Sequence, residues 1–326
     1  MNNFIFKKKI AGNKKKYYLF GIQIYTKKIE SEYVAPTIDM TTYFRLVPQN
    51  YLNLLTVNII EHCNLNCINC SHFSSIAEEE LLDTEEYRKD IKRIYELTEG
   101  KPHLISNIQL QGGEPLLHPQ LTDFFAITRE YFPDSDLSFV TNGILLNQQQ
   151  EEFWLNCNKY NVKIAPTIYP INIKWDEIDD KAKKYNVMID YGYVISETIE
   201  GKPKAIKTSW HWPMDLNGNK HPLYNFTHCN LGNNCVTLSH GRIFSCILPT
   251  GIKHFNKYFN KNLKITKADY IDIYKAKNLN EVLNFISKPF PFCRYCDVPK
   301  RTYGHKWACH AKSQTKNPIS IKEWTL

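Results

Sequence analysis

From residue 54 onward, short apolar runs alternate with stretches whose apolar residues recur every three or four positions. The runs lie at 54–60, 107–111, 137–140, 162–168 and 187–195, and have the length and Val/Ile content of buried strands. Between them, helical patterns are expected near 84–99, 120–131, 148–160 and 175–185. Asp83 is a plausible N-cap for the first helix and Gly100 its stop. Strands joined by helical crossovers demand a parallel sheet with helices outside, hence an α/β fold. A full eight-stranded barrel does not fit the residues available. A partial, open (β/α)6 TIM-like barrel does.

Ligands in such sheets sit beyond the carboxyl ends of the strands. Three motifs fall there. Cys63, Cys67 and Cys70 follow the first strand at spacing C-x3-C-x2-C, a loop able to turn three thiolates toward one point. Thiolates are the usual protein ligands of iron–sulfur clusters, and three of them leave one iron open. A zinc site borrowing His62 or His72 is the other reading. Gly112-Gly113-Glu114-Pro115 ends the second strand, where paired glycines let a ligand approach bare backbone. Thr141-Asn142-Gly143 ends the third, and Thr167 lies at the end of the fourth.

Together these stretches resemble the radical S-adenosylmethionine superfamily. The resemblance implies a 4Fe–4S cluster on Cys63, Cys67 and Cys70 that binds S-adenosylmethionine, with Gly112, Gly113 and Glu114 contacting the methionine amino group and Asn142 and Thr167 at the cofactor. Asn69 stands where the family often has an aromatic residue. It further implies reductive cleavage of S-adenosylmethionine to a 5′-deoxyadenosyl radical that abstracts hydrogen from a substrate, fed by a donor such as flavodoxin or ferredoxin.

After about residue 210 the alternation breaks down and cysteines return: Cys229, Cys235, Cys246, Cys293, Cys296 and Cys309. A hairpin is expected at His240-Gly241 and a helix near 280–287. A C-x2-C pair with distant cysteines signals a metal. The arrangement resembles the SPASM and shorter twitch auxiliary-cluster extensions of the same superfamily. Ten cysteines, less three for the first cluster and one (Cys157) on a core helix face, leave six. Two further fully cysteine-ligated clusters would need eight, so one auxiliary 4Fe–4S cluster is expected. Cys229, Cys246, Cys293 and Cys296 match the twitch pattern best; Cys235 and Cys309 are alternatives to the C-x2-C pair.

The expected organisation is a basic extension over 1–50, a partial barrel over 51–210 and a small cysteine-rich auxiliary-cluster domain over 211–326. Lys7–Lys9 and Lys14–Lys16 make the extension basic, and a lead-in hairpin around 17–25 is expected. No apolar run approaches a membrane span and no secretion signal is visible, so a reducing, cytoplasmic setting is expected. The formal charge of +8 points to a small anionic substrate. Nucleic acid is not expected as a partner, and peripheral membrane contact is left open. The run from Cys63 to Ser74 resembles members associated with bacterial polysaccharide loci, which implies a sugar or nucleotide-sugar that is oxidised, epimerised or dehydrated. Radical modification of a ribosomally made peptide and a non-enzymatic zinc-binding adaptor are the alternatives. His72, His240, His305 and Tyr193 are the acid–base candidates, each with a structural role as the simpler reading.

Overall fold

The computed structural model describes residues 6–11, 14–20, 22–28, 45–191, 197–199, 202–204, 208–310 and 319–325. It falls into two compact units, residues 1–37 and 38–326. In the first, β1 (Phe6–Ala11), β2 (Lys14–Leu19) and β3 (Ile22–Lys28) form an antiparallel meander. The expected hairpin therefore has a third strand. Residue 45 onward packs into the second unit. The Arg45 guanidinium donates to the Phe226 carbonyl at 3.2 Å, and the Asn233 amide donates to the Arg45 carbonyl at 2.9 Å.

In the second unit β4 (Leu52–Ile60), β5 (Ile105–Gly112), β6 (Asp136–Thr141) and β7 (Val162–Pro166) lie side by side and parallel. The connecting helices are α1 (Thr84–Leu97), α2 (Leu121–Tyr131) and α3 (Glu151–Lys159), and α4 (Trp175–Lys184) follows β7. The chain thus has an α/β fold with a mostly parallel central sheet. The Asp83 carboxylate caps α1, accepting from the Glu85 and Glu86 amides at 3.0 Å, a cap of about 1 kcal/mol. Tyr87, Ile91, Ile94 and Leu97 bury one face of that helix against the sheet. Cys157 is buried in the same core, as expected, and burial raises its thiol pKa.

The last expected strand, 187–195, is reduced among the described residues to one parallel bridge between Ile164 and Ile189. Polar Asp190 breaks the apolar run, and the Tyr191 hydroxyl donates instead to Asp179 at 2.6 Å. Residues 192–195 lie outside the described residues. Two short strands, β8 (Glu197–Ile199) and β9 (Lys202–Lys204), pair with each other, and β10 (Thr208–His211) follows. A short helix, α5 (Pro222–Thr227), comes next.

The hairpin of β11 (Val236–Ser239) and β12 (Arg242–Phe244) turns at His240 and Gly241, both at positive φ as a tight hairpin requires. β11 adds parallel to β4, Val236 opposite Leu55 and Thr237 opposite Thr56, and the sheet runs on antiparallel through β12 to β13 (Ile271–Asp272). The reason lies in β4, which is apolar on both faces. As an edge strand it would leave a row of buried backbone groups unpaired. The Thr56 and Thr237 hydroxyls, buried and 2.9 Å apart, seal the junction.

α6 (Leu248–Phe259) has no counterpart in the sequence reading, because Pro249 and Gly251 read as breakers. Pro is tolerated in a first helical turn. Gly251 is needed for contact: a Cβ there would lie 2.8 Å from the His72 carbonyl. α7 (Leu279–Ile286) lies where expected, and β14 (Thr302–Lys306) pairs antiparallel with β10. A second core gathers Phe73, Phe226, Phe255, Phe292 and Trp324 with Cys229, Cys246, Cys293 and Cys296. No helix among the described residues is long and apolar enough to cross a membrane.

Candidate functional site

Beyond the carboxyl ends of β4, β5, β6 and β7 lies a cavity of about 360 Å³. Cys63, Cys67, Cys70, Gly112, Gly113, Asn142 and Thr167 all line it. Seven of the eight residues expected at the first cluster and its cofactor therefore share one wall.

The eighth, Glu114, does not line it. It is 1% exposed and faces the strand ends. Its carboxylate accepts from the Thr141 hydroxyl at 2.6 Å, the Asn142 amide at 2.8 Å and the Leu116 amide at 3.1 Å. Burial raises its pKa to about 7, against those three donors. In this structure Glu114 has a positioning role: it clamps the end of β6, and Asn142 reaches the cavity from that clamp. The Asn142 side-chain amide lies 3.7 Å from the Cys63 sulfur and donates to Asn64 Oδ1 at 2.6 Å.

The glycines also serve a purpose beyond the expected one. The Gly113 amide donates to the Ile60 carbonyl at 2.8 Å, and the Glu114 amide to the His62 carbonyl at 3.1 Å. A Cβ at Gly113 would sit 1.8 Å from the His62 oxygen, and one at Gly112 2.0 Å from the Ile60 oxygen. Two backbones meet here with no room for a side chain, which seats the cysteine loop on β5.

The C-terminal segment closes the loop's other side. Cys309 pairs antiparallel with Cys67, the Ile68 amide donates to the Ala308 carbonyl at 3.0 Å, and the His310 amide donates to the Asn66 carbonyl at 2.9 Å. The Trp307 indole N–H donates to the Cys67 sulfur at 3.4 Å, and the Trp324 indole N–H to the Cys70 carbonyl at 3.1 Å. The Tyr169 ring packs at a tilt against Trp307, centroids 4.9 Å apart, and its hydroxyl hydrogen-bonds Cys67; burial, then the three cysteines, raises its pKa.

Burial pushes the Cys63 thiol up to about 12, with charge from Glu114, Cys70 and Cys67 adding to it and the Leu65 amide opposing. Burial acts the same way on Cys70, but His72 and nearby backbone amides outweigh it and leave that thiol at about 7. Among the described residues no three His, Cys, Asp or Glu side chains converge closely enough to hold a single ion. Three thiols of one loop around a cavity of this size are a donor set suited to an iron–sulfur cluster. His72 Nε2 and Ser74 Oγ, both on the cavity wall, are buried without a hydrogen-bond partner. The donor set and these orphaned atoms fit a cluster with a polar cofactor beside it.

The second cysteine group is selective. Cys229, Cys246, Cys293 and Cys296 line one small pocket with Arg301. Burial, then their mutual charge, raises Cys246 and Cys293. Arg301 donates to the Cys229 sulfur at 3.0 Å and stacks 4.4 Å over Trp212, which lines the larger cavity. Cys235 lies outside that lining; burial, then Cys229, raises it to about 11. Cys309 is exposed and belongs to the strand laid on the first loop, so it does not join the group.

No protein-family model matches the chain. A GTP 3',8-cyclase of Campylobacter lari is 34% identical over 104 residues, 31% of this chain and 30% of that protein. One of Aliarcobacter butzleri is 35% identical over 159 residues, 48% of this chain and 43% of that protein. These relatives support the radical S-adenosylmethionine superfamily. The chain spans less than half the length of either. Among solved structures, BtrN in complex with AdoMet and 2-DOIA is similar at 15% identity and TM-score 0.44, covering 77% of this chain and 94% of that one.

The sequence pattern did not reveal Tyr169, Trp212, Arg301 and Trp307 as lining these pockets. Trp307 lies 240 residues from Cys67, and no local pattern links them. Of the acid–base candidates, His72 lines the cavity. His240 is taken by Glu86 at 2.6 Å, away from it. Tyr193 and the His305 side chain lie outside what is described.

Proposed function

We propose that the chain is a radical S-adenosylmethionine enzyme acting on a sugar or nucleotide-sugar of surface polysaccharide biosynthesis. One observation carries the radical chemistry: three thiols of one loop share a cavity with the ends of three neighbouring parallel strands; the sugar substrate rests on the likeness of the run from Cys63 to Ser74 to members associated with polysaccharide loci. Cys63, Cys67 and Cys70 would hold a 4Fe–4S cluster. When bound, cluster and S-adenosylmethionine supply a 5′-deoxyadenosyl radical for hydrogen abstraction. The chain's own residues bind and enclose. Gly112, Gly113, Asn142 and Thr167 border the space for a polar cofactor, and Tyr169 with Trp307 shields Cys67 from water. Cys229, Cys246, Cys293 and Cys296 would hold one auxiliary 4Fe–4S cluster in a twitch-like C-terminal portion, the parallel strands forming the partial barrel beside it. Oxidation, epimerisation and dehydration are the reactions in view. A small flavoprotein or ferredoxin would donate the electron, in the cytoplasm. The N-terminal unit is a β-meander, whereas peptide modifiers often carry a winged-helix region, which speaks against a peptide substrate.

The test is anaerobic purification followed by metal and sulfide analysis. About eight irons per chain with matching acid-labile sulfide are expected, and 5′-deoxyadenosine should form on adding dithionite and S-adenosylmethionine. Zinc without sulfide would establish the adaptor reading instead. Arg301→Met probes the second cluster. Loss of its charge beside the Cys229 sulfur should lower that cluster's midpoint potential by tens of millivolts, at about 59 mV per factor of ten for one electron. An electron-paramagnetic-resonance redox titration reads the shift.

A further inference from the structure

Positive charge is concentrated at one end of this chain. Residues 1–28 hold eight lysines and no Asp or Glu. Removing those eight from the 41 Lys and Arg leaves 33, against 33 Asp and Glu, so the whole formal excess belongs to the meander. Strand pairing then sets lysine against lysine: Lys9 opposite Lys16, Lys14 opposite Lys28 and Lys15 opposite Lys27. Like charges directly opposite each other destabilise a sheet. An isolated three-stranded sheet has little core to absorb that cost.

The other end of the meander is apolar and bare. Phe20, at the β2–β3 turn, is 69% exposed and Ile22 is 70% exposed, with Leu19, Ile24 and Tyr25 also exposed. Alternation along the strands puts register positions 15, 17 and 19 of β2 on the same face as 22, 25 and 27 of β3. The Tyr17 and Tyr25 rings, 5.8 Å apart, confirm that shared face. It therefore runs from lysine positions at one end, through two tyrosines, to Leu19 and Ile22 at the other.

We propose that this face lies on an anionic lipid bilayer, with its lysines at the headgroups and its Tyr and aliphatic side chains in the interfacial zone. Basic residues draw a segment to anionic lipid, Tyr prefers the interface, and aliphatic side chains gain by leaving water there. A nucleic acid would also neutralise the lysines and could stack on the tyrosines, but it would leave the exposed aliphatic side chains of Leu19, Ile22 and Ile24 in water. The proposal is independent of the chemistry assigned to the cavity.

Cosedimentation of the full chain with vesicles tests it. Binding is expected to vesicles of phosphatidylcholine mixed with phosphatidylglycerol, weakening as salt rises, and not to phosphatidylcholine alone. Replacing the two lysines of this face, Lys15 and Lys27, together by Gln should weaken partitioning roughly 25-fold, about a factor of five for each charge. Ile22→Asp should weaken it while leaving every lysine in place. Both variants should keep the parent's iron content and circular dichroism. Equal binding to neutral vesicles, no vesicle binding, undiminished binding by the lysine variant, or binding to single-stranded RNA with none to vesicles would each overturn the proposal.

Discussion

Cys67→Ala is expected to remove about four of about eight irons and to drop dithionite-driven 5′-deoxyadenosine formation to background. The substitution is local. Cys67 is held by backbone pairing to Cys309, which the change leaves in place, and its neighbours Ile68 and Asn66 keep their own hydrogen bonds to the C-terminal segment. What is lost is the sulfur that the Trp307 indole and the Tyr169 hydroxyl face. With two thiols remaining, the loop cannot fix a cluster that still keeps one iron open. The auxiliary group, Cys229 with Cys246, Cys293 and Cys296, lies in a separate pocket and should retain its iron. Iron and sulfide assays together with a product assay read the result. Full iron content with undiminished cleavage would overturn the assignment of the loop.

Glu114→Ala should destabilise the fold by roughly 3–5 kcal/mol, judged from the three buried donors it strands at about 1–3 kcal/mol each with partial relaxation. The Thr141 hydroxyl and the Asn142 and Leu116 amides lose their acceptor together. Glu114→Gln should cost less, because one carboxamide oxygen still accepts. The same group imposes a pH dependence. Burial raises its pKa from 4.5 to about 7 in the folded chain. Between those values the folded chain keeps a proton that the unfolded chain has released. Stability from this group is therefore complete below about pH 4.5, falls as pH rises, and levels off above about 7. The change is at most about 3 kcal/mol, at 1.36 kcal/mol per pH unit. Urea titrations of the anaerobic protein at pH 5 and pH 7.5 should show the parent losing more stability across that interval than Glu114→Gln. Equal losses in both would contradict the buried, protonated carboxyl.

The parallel core was legible because its signal is local. Apolar alternation and Asp83 with Gly100 mark β4, α1 and their successors within a few residues of where they lie. The cysteine loop and the motifs after β5 and β6 share a cavity because crossover connections bring all carboxyl ends to one side of a parallel sheet. Motif spacing put Glu114 at the strand ends but holds nothing about which way a buried side chain turns, so its clamp on Thr141 and Asn142 was not legible. α6 was invisible because Pro249 and Gly251 have local meanings that a first turn and a close contact override.

The sequence alone determined the α/β alternation, the three-thiol loop and the strand ends that face it, since each depends on residues within a few positions of one another. Tertiary structure decided that β11 completes the sheet beside β4, that residues 307–310 cover the cysteine loop, and that Cys309 goes there while Cys229, Cys246, Cys293 and Cys296 assemble elsewhere. Those choices join residues about 180 and 240 positions apart. They turn on which sheet edge and which loop backbone remain unpaired once the rest has folded, a property of the assembled surface and not of any stretch of chain.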